Sequence, residues 1–215
     1  TERRHLLRRP ENSSALPQYP IMFERKEYLI MKRLIAIALS ALAIFALVGC
    51  SSGSSSSSTP KDYAQIIHDA RSDEENEYQM IARPGEEEGQ FTAIDGSSAD
   101  FTAEDLSSNI ANFTMPLLGL EEGDYEDFAA SVSGIITQSY GIAIVKPAEG
   151  RTDAVKEALE NFVTTQQKSM ENYLMDQYEI AKAAKVEVVP SGEVVLVCCE
   201  NSDAVLASIK AALAA

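Results

Sequence analysis

From Tyr125 onward the hydrophobic positions fall into two periods. Phe128, Ala130 and Val132 recur at every second residue, the spacing of a half-buried strand. Tyr140 to Val145 is a more continuous apolar run and predicts a second strand, with a hairpin between the two. Arg151 to Tyr173 then changes period. Val155, Leu159, Phe162, Val163 and Met170 share one helical stripe, with Thr152 as the expected N-cap. Val186–Val189 and Val194–Cys199 are β-rich runs separated by the turn residues Pro190, Ser191 and Gly192. Ser202 is the expected cap of a last helix carrying Val205, Leu206, Ile209 and Leu213 on one face.

This order predicts an α+β fold: a two-layer sandwich whose four-stranded, mostly antiparallel sheet carries both long helices on one face. Upstream the pattern is weaker. Asp62–Arg71 predicts a short helix presenting Tyr63, Ile66 and Ile67, and the rest of residues 61–100 reads as acidic and irregular. Thr102 and Asp105 mark a helix start before Leu106, Ile110 and Phe113, and Pro116 predicts that this helix has ended or kinked. Residues 61–215 are expected to form a single domain. A short echo links its halves, since Ile142–Val145 leads to Thr152–Val155 much as Val194–Val197 leads to Ser202–Val205.

The most uniform apolar run lies outside that domain. Leu34 to Leu47 is 14 residues broken only by Ser40, preceded by Met31, Lys32 and Arg33. As a helix it spans roughly 21 Å, short of the roughly 30 Å hydrocarbon core, which suits a signal-peptide core better than a permanent span. Leu47-Val48-Gly49-Cys50 follows, and it resembles the lipobox of bacterial lipoproteins. There the Cys thiol takes a diacylglyceryl group, and a membrane peptidase cuts before it where a small residue precedes. Signal cleavage is therefore expected between Gly49 and Cys50, with lipidation on Cys50. Two acyl chains, at about 0.8 kcal/mol per buried methylene, give stable anchoring. Ser51–Thr59 is serine with one glycine and one threonine, a flexible tether with a reach of roughly 17–19 Å up to Pro60. Residues 1–30 have no apolar periodicity and read as an upstream mis-start, with Met31 favoured over Met22 as the first residue.

Charge divides along the same boundary. Residues 1–49 hold 8 of the 18 Lys and Arg and 4 of the 33 Asp and Glu, so the remainder has 10 basic against 29 acidic side chains, a net of −19. Such a surface repels phosphate backbones, so no nucleic-acid partner is expected. The part after Gly49 is too short for a classical two-lobed solute-binding protein.

One further pattern points to a family. Gly141-Ile142-Ala143-Ile144-Val145-Lys146, a long helix with Gln166-Gln167, then Tyr173 with Gln177-Tyr178, then Val194–Val197 and a Ser/Asp-capped helix occur in that order. Over roughly residues 120–213 this resembles the lipoproteins grouped as domain of unknown function 4358, found in Firmicutes. The resemblance implies a Gram-positive envelope lipoprotein and supplies no catalytic residues. The chain departs from the family at Ile135-Ile136-Thr137, where members often carry methionines.

Candidate chemistry is sparse. His5 lies in the upstream segment and His68 beside the tether, so histidine acid–base work and His-rich metal sites are not expected. No GxSxG, Walker A or GxGxxG motif follows Cys50. Cys198 and Cys199 are neighbours on opposite faces of an expected strand, which makes them poor disulfide partners and poor nucleophiles. Asp124, Glu126 and Asp127, or Glu86–Glu88, lack the spacing of a calcium loop, so no metal and no cofactor is expected. Tyr173, Gln177 and Tyr178 fall at the end of the long helix, where aromatics either pin helix to sheet or line a binding surface, and packing is the favoured reading. The expectation is a lipid-anchored extracytoplasmic binding or accessory module, not an enzyme, with an envelope protein as a candidate partner. A glycan-active enzyme working through carboxylates, or a purely structural lipoprotein, are the alternatives. No oligomeric state follows from the sequence.

Overall fold

In the computed structural model, residues 61–215 are described. The upstream segment, signal peptide, Gly49, Cys50 and the tether lie outside them. The described residues begin with a helix because Asp62 caps it, accepting the Gln65 N–H at 3.1 Å. This is α1 (Tyr63–Ala70), which buries Tyr63, Ala64 and Ile67. Ser72 and Glu75 then form a reciprocal capping box that starts α2 (Asp73–Tyr78).

Two strands follow where irregular chain was expected: β1 (Ile81–Pro84) and β2 (Phe91–Ile94), paired antiparallel. α3 (Ala103–Asn109) starts at Thr102, whose side chain accepts the Asp105 N–H as expected. Its axis does not end before Pro116. A π-helical turn, Ile110–Thr114, leads into α4 (Met115–Leu118), with Pro116 in the first turn of that segment. Then come β3 (Tyr125–Val132), β4 (Gly141–Pro147), α5 (Thr152–Met170), α6 (Met175–Ala183), β5 (Lys185–Val188), β6 (Val194–Cys198) and α7 (Ser202–Ala214).

The sheet has six strands rather than four, in the order β2-β1-β3-β4-β6-β5, and every neighbouring pair is antiparallel. The helices cover both faces rather than one. On one face Phe128, Ala130, Val145 and Leu196 pack against Val155, Leu159 and Phe162 of α5, with Leu106, Ile110 and Leu118 beside them. On the other, Ala129, Ile142, Ile144, Val195 and Val197 pack against Ile67 of α1 and Leu206, Ile209 and Leu213 of α7. Three layers result. The cause lies in β4 and β6, where Gly141–Val145 and Val194–Cys198 are buried at every position. A strand apolar on both sides has two faces to cover, and one layer of helices covers only one.

Other departures are local. α5 begins at Thr152 after an Arg151 N-cap that makes no side-chain capping bond, and it stops at Met170, with Tyr173 in the link to α6. Asn201, in the left-handed region at φ 57°, precedes α7 in place of Ser202. Ser202 Oγ instead donates to the Ala183 carbonyl at 3.1 Å, tying the start of α7 to the end of α6. Gly141 permits the close approach of α5 to β4, since a Cβ there would lie 2.7 Å from the Phe162 ring.

Candidate functional site

Gly141 opens β4 and pairs with Cys198, the last residue of β6, so these two neighbouring strands share one end. Four segments meet there. They are α2 with Gln79, the Gln138–Tyr140 approach to β4, Gln177 and Ile180 of α6, and the Cys199–Asn201 link to α7. Between them lies a cleft of about 330 Å³.

Its back wall is organised by Arg71, whose side chain is fully buried. Arg71 Nη1 donates to Ser131 Oγ at 2.8 Å and to Tyr140 Oη at 3.2 Å. Nη2 donates to the Gln79 carbonyl at 2.6 Å and pairs with Asp95 at 3.1 Å, and Nε donates to Asn76 Oδ1. Five acceptors on α2, its flanking residues, β3, the β4 approach and the turn after β2 thus share one guanidinium, a use of its planar fork of donors that lysine lacks. Asp95 also lies 2.7 Å from His68 Nδ1. Burial pushes the Tyr140 hydroxyl up to about 12, so it stays protonated.

Polar groups line the cleft in front of that wall. The Ser139 N–H donates to Gln177 Oε1 at 2.9 Å. Ser139 itself is only 2 % exposed, and among the described residues its buried hydroxyl has no hydrogen-bond partner. Gln138 Oε1 accepts Ser133 Oγ at 2.7 Å and the Gln79 amide at 3.5 Å. Cys199 is buried at the same end, and burial pushes its thiol up to about 12, as it does for Cys198. A thiol so fully protonated near neutral pH is an apolar wall and not a nucleophile.

Of the residues expected at this corner, Gln177 lines the cleft. Tyr173 and Tyr178 do not. Tyr173 is 87 % exposed in the link between α5 and α6, so it does not pin that link to the sheet. Tyr178 lies on α6 with Lys182 Nζ 5.9 Å from its ring centre. Ser139, Gln138, Gln79 and Tyr78 were not foreseen. The available signal was a polar pair, Gln138-Ser139, set immediately before a strand that is otherwise apolar.

The carboxylates weighed for metal binding are engaged separately. Burial alone would raise the Asp124 carboxyl, but the Glu121 N–H at 2.9 Å and the Arg151 guanidinium outweigh it and hold it below the usual range. Glu126 pairs with Lys146 at 2.6 Å, and Asp127 accepts its neighbour's N–H from Phe128 at 2.8 Å while burial raises its carboxyl. Glu86, Glu87 and Glu88 are exposed along a wide trough. Among the described residues no three His, Cys, Asp or Glu side chains are placed to share a metal ion.

Comparison with known proteins gives one match. Residues 97–200 fit the family model described as "Domain of unknown function (DUF4358)", which covers the fold from the 3-10 turn at Ser98–Asp100 to the end of β6. No curated protein and no solved structure matches the chain significantly. The matched span holds the Gln138–Tyr140, Gln177 and Cys199 sides of the cleft while the α2 side lies before it, and over residues 97–200 the chain belongs to the domain of unknown function (DUF4358) family.

Proposed function

We propose that this chain is a bacterial lipoprotein whose folded domain is a binding or accessory module at the extracytoplasmic face of the cell membrane. The observation that carries this reading is the unbroken succession of Met31–Arg33, the apolar Leu34–Leu47, Leu47-Val48-Gly49-Cys50 and the serine tether, ending where Asp62 caps α1. In this reading lipid on Cys50 holds the domain roughly 17–19 Å from the bilayer on average. The domain needs no membrane segment of its own, and among the described residues no helix is long and apolar enough to cross a membrane.

Binding is favoured over catalysis by the chemistry of the strand-end cleft. It offers amides and hydroxyls, its thiol is held protonated, Glu75 is already committed to the Ser72 N–H at 3.0 Å and the Ser72 hydroxyl at 2.8 Å, and its other two carboxylates, Glu74 and Glu200, are solvent-exposed at the margin. A pair of free, facing carboxylates would favour a glycan-active enzyme instead. Expressed in its host, the protein is expected to stay with the membrane fraction through an alkaline carbonate wash and to be digested by protease added to intact protoplasts. Release by the wash, or full protection from the protease, would defeat the proposal.

A further inference from the structure

We infer that the strand-end cleft binds an uncharged sugar, taking a single ring or the end of a glycan between Tyr78, Gln138, Ser139 and Gln177. This deepens the binding-module reading. It rests on the cleft and not on the anchor.

Apart from the exposed Glu74 and Glu200 carboxylates at the margin, the unspent hydrogen-bonding groups of the cleft are of both kinds and neutral. Gln177 gives its carbonyl to the Ser139 N–H, which leaves its NH₂ with only a 3.4 Å contact to Asp176. The Gln138 side-chain carbonyl is used by Ser133 and Gln79, which leaves the Gln138 NH₂ and the Gln79 side-chain Oε1 free among the described residues. The Ser139 hydroxyl can donate and accept, and a buried hydroxyl without a partner is uncommon enough to call for one. Vicinal sugar hydroxyls, each a donor and an acceptor, match such a set. At the rim, Tyr78 is 67 % exposed and lines the cleft beside these groups. A pyranose ring has an apolar face suited to that surface. The volume, about 330 Å³, lies at the small end of the roughly 300–1,000 Å³ of ligand sites, which sets the size of the occupant.

Other ligand classes fit less well. No Lys or Arg lines the cleft, and the Arg71 side chain behind it is fully buried and spent on five acceptors, so nothing receives a phosphate or carboxylate. An extended peptide would seek a free strand edge, yet both edges of β4 and of β6 are already paired. Glu74 and Glu200 at the margin are exposed, and among the described residues no three His, Cys, Asp or Glu side chains are placed to share a metal ion.

The test uses the purified full chain in a detergent without a sugar headgroup, with isotope-labelled isoleucine methyl groups. Ile180 lines the cleft and reports on it. The probes are triacetylchitotriose and maltotriose, with spermidine and triglycine as the competing classes. A saturating shift of the Ile180 methyl is expected with a trisaccharide. Tyr78→Ala, a change at an exposed side chain outside the core, should weaken that binding about tenfold, and Gln177→Ala should abolish it. A shift with spermidine or triglycine but with neither sugar overturns the sugar assignment and leaves the cleft as a binding site. Silence toward every probe overturns both. A sugar shift unchanged in the two variants places the sugar elsewhere and overturns the inference.

Discussion

Replacing Arg71 with alanine is expected to cost about 3–5 kcal/mol of folding stability, the range for removing one partner of a buried ion pair. Asp95 would lose its cation while only 16 % exposed at its side chain, and the Ser131 hydroxyl and Tyr140 phenol would lose a donor deep in the domain. The Gln79 carbonyl and Asn76 amide lose a donor as well. Each unsatisfied buried group adds its own desolvation cost of about 1–3 kcal/mol, although such costs overlap and do not sum. Arg71→Lys keeps the charge but not the planar fork, so an intermediate loss is expected. Urea unfolding followed by circular dichroism reads both changes. A loss below about 1 kcal/mol for Arg71→Ala would show that the network is not a stability element. Because Gln79 and Tyr140 also line the cleft, the same network that holds α2 to the sheet sets the position of the site's back wall.

Cys50→Ser is expected to abolish both lipidation and removal of the leader. A thiol is far more readily ionised than an alcohol and so supplies the nucleophile for acyl-glyceryl transfer, whereas a serine hydroxyl at the same place stays inert. Without the lipid, the peptidase that cuts between Gly49 and the modified cysteine lacks its substrate, so the precursor should accumulate with its leader attached. Metabolic labelling with a palmitate analogue reads the first step and gel mobility the second. The proposal requires loss of both. Labelling of the serine variant at the wild-type level would refute lipidation at Cys50.

The central part of the fold could be read from the residues because period and burial agree there. Phe128, Val155, Leu159, Phe162, Leu206, Ile209 and Leu213 are buried as their spacing predicts. The number of layers was misjudged for a physical reason. Val194–Cys198 carries no polar residue to mark an outer face, so periodicity alone does not say whether a helix lies on one side or both. β1 and β2 were missed because each has only four residues, and Arg83, Pro84 and Thr92 interrupt their apolar character. β2 is an edge strand with every residue half-buried, which leaves no contrast between its faces. The cleft was harder to foresee. Gln177 stood out at the helix corner, but Ser139 and Gln79 acquire meaning only when the ends of β4 and β6 bring distant segments together. Arg71 stands at the end of the expected Asp62–Arg71 helix, and nothing in its sequence neighbourhood marks it as the centre of a buried network.

The most direct measurement for the lipoprotein reading is the mass of the mature N-terminal peptide from protein purified out of host membranes. The account predicts a peptide that begins at Cys50 and carries the added mass of a diacylglyceryl group. An unmodified Cys50 inside a longer peptide that still contains Val48 and Gly49 would contradict it.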